Sequence, residues 1–312
     1  PCRTTDPAVA RKTGLTQKQS KGIMDWNESR DLLWVASVLY GIGLVSGISL
    51  VSKNNKVVSS LLPLGIIIAG FVAQTQGLAI RGELVKGCPL GNGMERIQFI
   101  LWSLVVGYLI IRVLFRLNLL GSFAAGAACI GGAISLSIPS LDFAYWKKDG
   151  YDGIFPNHWV ELHASVAIFS YGIFGLLATV SVMYLIQQKA LLAKRPGSLA
   201  PFLPSIQQLE TAGSRLLLIG SVFLTCSIVV GSLDWTRPTG SVSYAKVVAT
   251  IALWLAYCSL WYLHFRQKLF GQKFAKICII LFAVAILSLG VVRSAVTNDS
   301  PPSPQSSSSD VN

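Results

Sequence analysis

Trp159-Val-Glu-Leu-His163-Ala-Ser-Val-Ala-Ile-Phe-Ser170-Tyr171-Gly-Ile-Phe-Gly-Leu-Leu-Ala-Thr-Val-Ser-Val-Met-Tyr-Leu-Ile186 runs for 28 residues with one acid, one histidine and no lysine or arginine. A bilayer core roughly 30 Å thick is crossed by about 20 apolar residues in an α-helix. This stretch is long enough to cross, and its ionisable residues stand within the first turns of one end. In hydrocarbon every backbone polar group must be bonded within the chain, so such a run is helical.

The same reading extends outward to seven further segments: Leu32–Val51, Val57–Ile80, Ile97–Phe115, Leu119–Ile138, Leu216–Leu233, Val242–Phe265 and Ile277–Val292. Water-boundary residues separate them, such as Lys53-Asn54-Asn55-Lys56, Arg116-Leu117-Asn118 and Lys194-Arg195-Pro196-Gly197. The whole chain agrees: 312 residues, 52% hydrophobic, 13% charged, with mean hydropathy +0.58. Soluble domains carry about 25% charge. The fold class is therefore an all-α membrane protein with about eight transmembrane helices in one bundle. The expected organisation is a polar segment over 1–30, the bundle over 31–294, and a disordered tail over 295–312, too rich in Pro and Ser to bury a core. The chain opens on Pro1 rather than Met, which reads as a processed or incomplete N-terminus.

The formal net charge of +12 is distributed by side. The connections joining segments 1–2, 3–4, 5–6 and 7–8 balance at +11, and the opposite side, leaving out 1–31, balances at −1. The positive-inside rule puts the basic connections in the cytoplasm and both termini outside. The expected location is the cytoplasmic membrane of a bacterium. The partner implied by this collar is the lipid bilayer, and no nucleic acid is expected, since the cations do not form a groove interleaved with aromatics.

Six cysteines, Cys2, Cys88, Cys129, Cys226, Cys258 and Cys278, include no CxxC pair, so dithiol, zinc and c-type haem attachment motifs are absent. Cys2 and Cys88 fall on the same side, which leaves a disulfide between them open. Of three histidines, His163 lies about one turn inside the outer end of its helix, and His264 lies at the inner end of the seventh. At 1.5 Å of rise per residue the two stand some 20 Å or more apart, so one iron is not held by both. An ionisable residue within a membrane helix tends to mark a site, which makes His163 the leading candidate. Ser170 and Tyr171 share its face, and a plain interhelical polar stripe is the competing reading. His264, beside Arg266 and Lys268, reads as interfacial.

The connection Arg81-Gly82-Glu83-Leu-Val-Lys-Gly87-Cys88-Pro89-Leu90-Gly91-Asn92-Gly93-Met94-Glu95 mixes turn formers with charges and reads as a packed, structured outer loop. Gln74, Thr75 and Gln76 add polar atoms nearby. Gly43 and Gly47 form a GxxxG, and Gly121, Gly126, Gly131 and Gly132 stud the fourth segment, both signs of close helix packing.

These residues resemble a family. The order Arg81…Pro89-Leu90…Asn92…Glu95…Phe99…Trp102, then Leu162-His163…Ser170-Tyr171, then Leu203-Pro204-Ser205…Glu210…Arg215, then Trp254…Tyr257…His264…Arg266 is similar to cytochrome c assembly proteins of the CcsA/ResC type, most closely their HemX-like relatives. The resemblance runs from about Gln74 to Val292. It implies haem handling on the outer face, with haem and other cytochrome c assembly proteins as partners. Synthase-type members hold haem beneath a tryptophan-rich loop, between two external histidines. His163 matches the first of these, and His264 matches a histidine within the membrane. Met94 and Cys88 are further candidate ligands. Where the tryptophan-rich W-x-W-D-P-K-E segment should stand, this chain has Ser241-Val-Ser243-Tyr244-Ala245-Lys246-Val247, and Gly290-Val291-Val292-Arg293 contains no second external histidine.

The expected function is therefore an accessory factor in cytochrome c or haem biogenesis rather than an autonomous haem lyase. The rivals are a haem-binding delivery component of a cytochrome c synthase complex and a small-molecule transporter. A transporter would set its polar residues at mid-membrane, whereas here they gather at one end.

Overall fold

In the computed structural model, residues 7–51, 56–115, 118–142, 158–192, 204–234 and 244–298 are described, with side chains omitted at several helix ends. Eight helices follow one another: α1 (Pro7–Val51), α2 (Lys56–Val85), α3 (Gly93–Phe115), α4 (Asn118–Ser137), α5 (His158–Leu192), α6 (Ile206–Asp234), α7 (Tyr244–Phe265) and α8 (Gly271–Asn298). A 3₁₀ turn, Pro139–Leu141, follows α4, and no strand occurs among the described residues. All eight helices are long and apolar enough to cross a membrane, so this is a multi-pass membrane protein.

Several helices outrun the apolar segments that announce them. Helix α1 begins at Pro7, α2 continues to Val85, α3 starts at Gly93 and α6 at Ile206. Hydropathy falls at the first charge, but α2 continues through Arg81, whose charge is paired. The polar segment expected over 1–30 is helical from Pro7, as the first part of α1. The expected tail also begins inside α8, which reaches Asn298; its remainder, 299–312, lies outside the described residues.

Helices α1 to α4 form one packed group, with α1 against α2 and α4 and α3 against α4. Helix α5 joins this group to the rest by packing on α3, α6 and α8, and it is the most buried span. Helix α7 lies outermost, touching α6 and α8. The small-residue pattern sets the closest approaches. A Cβ on Gly43 would meet Ile67 of α2 at 3.0 Å, and Gly47 abuts Ser122 of α4. At the α3–α5 crossing, a Cβ on Gly172 would lie 2.6 Å from the Ile100 carbonyl. In lipid, where apolar burial between helices contributes little, such contacts hold the bundle by dispersion.

Two helix starts are built by reciprocal caps. At α3, the Asn92 side-chain oxygen accepts the Glu95 N–H at 2.8 Å, while Glu95 Oε2 accepts the N–H groups of Gly91 and Asn92. At α6, Ser205 and Gln208 exchange the same pair of bonds. Both match the capping-box arrangement, which satisfies donors that the first turn leaves orphaned.

Candidate functional site at one end of the bundle

Arg81 ends the apolar part of α2 and is completely buried. Its guanidinium donates from both terminal nitrogens to Asp142, at 2.8 and 3.3 Å, and to Glu95 Oε1 at 3.3 Å. Its Nε donates to Ser29 Oγ at 3.0 Å, and the Trp26 ring lies 3.7 Å from the guanidinium carbon. Arg30 approaches Asp142 at 3.6 Å and donates to the Leu136 carbonyl at 3.0 Å. Asn92 also donates to Asp142, at 3.3 Å. Two arginines thus face two carboxylates, and the guanidinium's fork geometry and flat face are both used. The cluster ties α1, α2, α3 and the residue that follows the 3₁₀ turn.

A neutral network continues from it toward the membrane interior. Tyr40 donates to Gln74 Oε1 at 2.8 Å; Gln74 donates to Gln98, and Gln98 to Ser135 at 3.0 Å. One residue from each of α1 to α4 takes part. Trp102 donates to Thr75 Oγ1 at 2.9 Å and stacks on Phe71.

The α2–α3 connection is fastened to α5. Lys86, with φ of 50°, closes the end of α2, and the Cys88 N–H donates to Glu161 Oε1 at 2.5 Å. Pro89 is buried. Burial pushes the Cys88 thiol above its ordinary range, with the charges of Glu161 and Glu95 adding to the effect and a Ser165 hydrogen bond opposing it. Among the described residues Cys88 forms no disulfide. Cys2, and with it the disulfide question, lies outside the described residues. Met94 is completely buried in an apolar cluster with Leu33, Leu78 and Leu136.

His163 stands on another face of α5 from Glu161, because two residues turn a helix by about 200°. Its Nδ1 lies 2.6 Å from the Ser227 carbonyl of α6 and 3.1 Å from Ser227 Oγ, which itself donates to the His163 carbonyl at 3.0 Å. A carbonyl only accepts, so Nδ1 carries a proton, and in the neutral ring the lone pair is on Nε2. Gly231, one turn further along α6, provides the notch for the ring: a Cβ there would sit 2.7 Å from Nδ1. Ser170 is buried and bonds the Ala167 carbonyl of its own helix.

His264 has a similar bond in a different setting. Its Nδ1 lies 3.1 Å from the Leu269 carbonyl, and its ring lies against Phe270 and Phe274. It pins the turn into α8, where a Cβ on Gly271 would lie 3.2 Å from Tyr184 Oη. Tyr184 is 21 residues along α5 from His163, about 30 Å at 1.5 Å per residue. The two histidines therefore belong to opposite ends of the bundle, and no cluster of three or more potential metal ligands occurs among the described residues.

Reading the sequence misses Trp26, Ser29, Arg30, Asp142, Gln98, Ser227 and Gly231. The spacing Asn92-x-x-Glu95 could have revealed the cap, but nothing local links Arg81 to Asp142 across 61 positions. Of residues 241–247, where the tryptophan-rich motif would stand, 241–243 lie outside the described residues and 244–247 open α7.

With this geometry in view, the relatives fit. A family model described as cytochrome c assembly protein matches residues 90–297. The chain is 29% identical to Protein HemX of Brevibacillus brevis over 73% of its length and 80% of that protein. It is 24% identical to Protein HemX of Bacillus subtilis, over 79% and 86% respectively. It is 26% identical to the cytochrome c biogenesis protein CcsA of Cyanidium caldarium, over 68% and 79%. An eight-helix bundle carrying a matched segment across two thirds of its length places this chain in the cytochrome c assembly protein family.

Proposed function

We propose that the chain is a polytopic accessory factor in cytochrome c or haem biogenesis, acting at the outer face of a bacterial cytoplasmic membrane and lacking autonomous haem-lyase activity. The observation that ties this reading to haem is the setting of His163. A carbonyl on Nδ1 fixes the tautomer and ring orientation, and leaves Nε2 as the available nitrogen, the arrangement usual behind metal-ligating imidazoles. Among the described residues Nε2 has no hydrogen-bond partner. A haem iron fits this donor, and His163 would hold it; the iron would supply the redox and ligand chemistry. Ser227 and Gly231 orient the ring, and the Arg81 cluster keeps the surrounding end of the bundle rigid. The accessory assignment rests on the sequence at 241–247, which lacks the paired tryptophans of synthase-type relatives, and on the HemX relatives.

The pinned histidine also favours a second reading, a haem-delivery component that works with a partner. Absorption spectra of the purified full chain, with and without added haem, separate the two. Delivery predicts a Soret band that His163→Ala removes while His264→Ala leaves it. A folded wild-type protein with no Soret band at saturating haem sinks the delivery reading and leaves the scaffold role.

A further inference from the structure

The α7–α8 hairpin carries an arrangement that the candidate site does not use. From Tyr244 to Asn298 the chain contains no Asp or Glu. Arg266, Lys268, Lys273 and Lys276 fall within eleven consecutive positions, and all four are exposed. Among the described residues none of them forms an ion pair. Exposed aromatics surround them: Trp261, Tyr262, Phe265 at 70% and Phe270 at 44%. Exposed rings at the end of a membrane-spanning helix have the composition of the aromatic belt that forms at a membrane–water interface.

The hairpin is rigidly built. Gln267 adopts φ of 56°, the Lys268 N–H bonds the Leu263 carbonyl at 3.0 Å and the Gln267 N–H bonds that of His264 at 3.0 Å. This is the left-handed C-terminal stop of a helix. His264 then locks the following residues through Leu269, Phe270 and Phe274. The cations are consequently held on a defined turn rather than on a flexible connection. Lys273 and Lys276 also stand in the first turns of α8, whose first turn has no acid. Cations there oppose the positive end of the helix dipole, a placement that an external anion relieves.

We propose that this hairpin binds the phosphate headgroup of an anionic phospholipid, with the exposed aromatics seated among its acyl chains. The positive-inside tendency accounts for the sign of the charge but not for its concentration on a locked turn at a helix N-terminus. Juxtamembrane cations of this kind attract anionic lipid, and exposed rings give the contact an apolar half that a free anion lacks.

The test uses the full chain in nanodiscs of equal phosphatidylglycerol and phosphatidylcholine, with the lipids retained on release counted by native mass spectrometry. The wild type should retain phosphatidylglycerol several-fold over phosphatidylcholine. The variant Arg266→Gln/Lys268→Gln/Lys273→Gln/Lys276→Gln should lose most of that preference. Lys189→Gln, at the end of α5, should keep it. Because a fourfold change could disturb folding, Lys268→Arg/Lys273→Arg/Lys276→Arg serves as the second variant and should retain the preference. No preference in the wild type, an unchanged preference in the glutamine variant, or displacement by inorganic phosphate at matched concentration would each overturn the proposal.

Discussion

The two ends of the bundle treat positive charge in opposite ways. At one end Arg81 is fully buried, joined to Glu95 and Asp142 and covered by Trp26. At the other, Arg266, Lys268, Lys273 and Lys276 are exposed, and none of them forms an ion pair among the described residues. The first arrangement makes charge part of the fold, whereas the second leaves it for the surroundings. Each end also has a histidine that donates from Nδ1 to a carbonyl. His163 reaches across 64 positions to α6, while His264 reaches only five, within its own turn. The same bond therefore joins two helices in one place and shapes one hairpin in the other.

The largest effect that would test this contrast is at Arg81. Removing it takes the guanidinium away from two buried carboxylates, and the partly exposed Arg30 stays 3.6 Å from Asp142. Breaking one partner out of a buried charged group costs about 3–5 kcal/mol. Arg81→Ala should accordingly lower the thermal midpoint in detergent far more than Lys273→Ala. Equal, small shifts for the two variants would mean that the buried cluster contributes little to holding the bundle.

A smaller effect distinguishes the two histidine settings. Gly231→Ala places a methyl 2.7 Å from His163 Nδ1, and overpacking of this kind costs roughly 1–3 kcal/mol. His264→Ala removes a local hydrogen bond of about 1 kcal/mol together with its ring contacts. Hydrogen exchange at α5 and α6 should rise in Gly231→Ala and stay near wild type in His264→Ala, where protection is lost only around 264–274. Increased exchange in α5 and α6 on His264→Ala would show that the hairpin supports the whole bundle.

How much of this could be read beforehand follows from the range of the interactions. The eight spans are legible because each depends on local apolar length. His163 stands out because an ionisable residue within such a span is uncommon. Arg81, Asn92 and Glu95 can be marked as unusual, yet their joint role depends on Asp142 and Ser29, which are distant in sequence and unremarkable alone. Trp26 and Arg30 are missed for a simpler reason: hydropathy assigns them to a polar segment, although α1 carries them into the cluster. Gly231 looks like any other small residue until the imidazole beside it is seen.

The smallest predicted effect concerns Cys88, in the α2–α3 connection at the Arg81 end of the bundle. Its thiol is pushed above the ordinary range by burial first, and by the negative charges of Glu161 and Glu95. Only the thiolate reacts with an alkylating reagent, so at pH 8 Cys88 should be labelled more slowly than a model thiol. Its rate should rise with pH and level off only above the usual cysteine midpoint. Glu161→Gln removes one of the neighbouring charges but also weakens the bond that fastens the loop through the Cys88 N–H. The pH profile, followed by mass spectrometry of the Cys88 peptide, separates these consequences. A lower midpoint with an unchanged high-pH plateau means that Glu161 acts on the thiol by charge alone. A higher plateau means that the loop has come away from α5, making Glu161 the fastening that holds the α2–α3 connection in place. A profile identical to wild type would remove Glu161 from both roles.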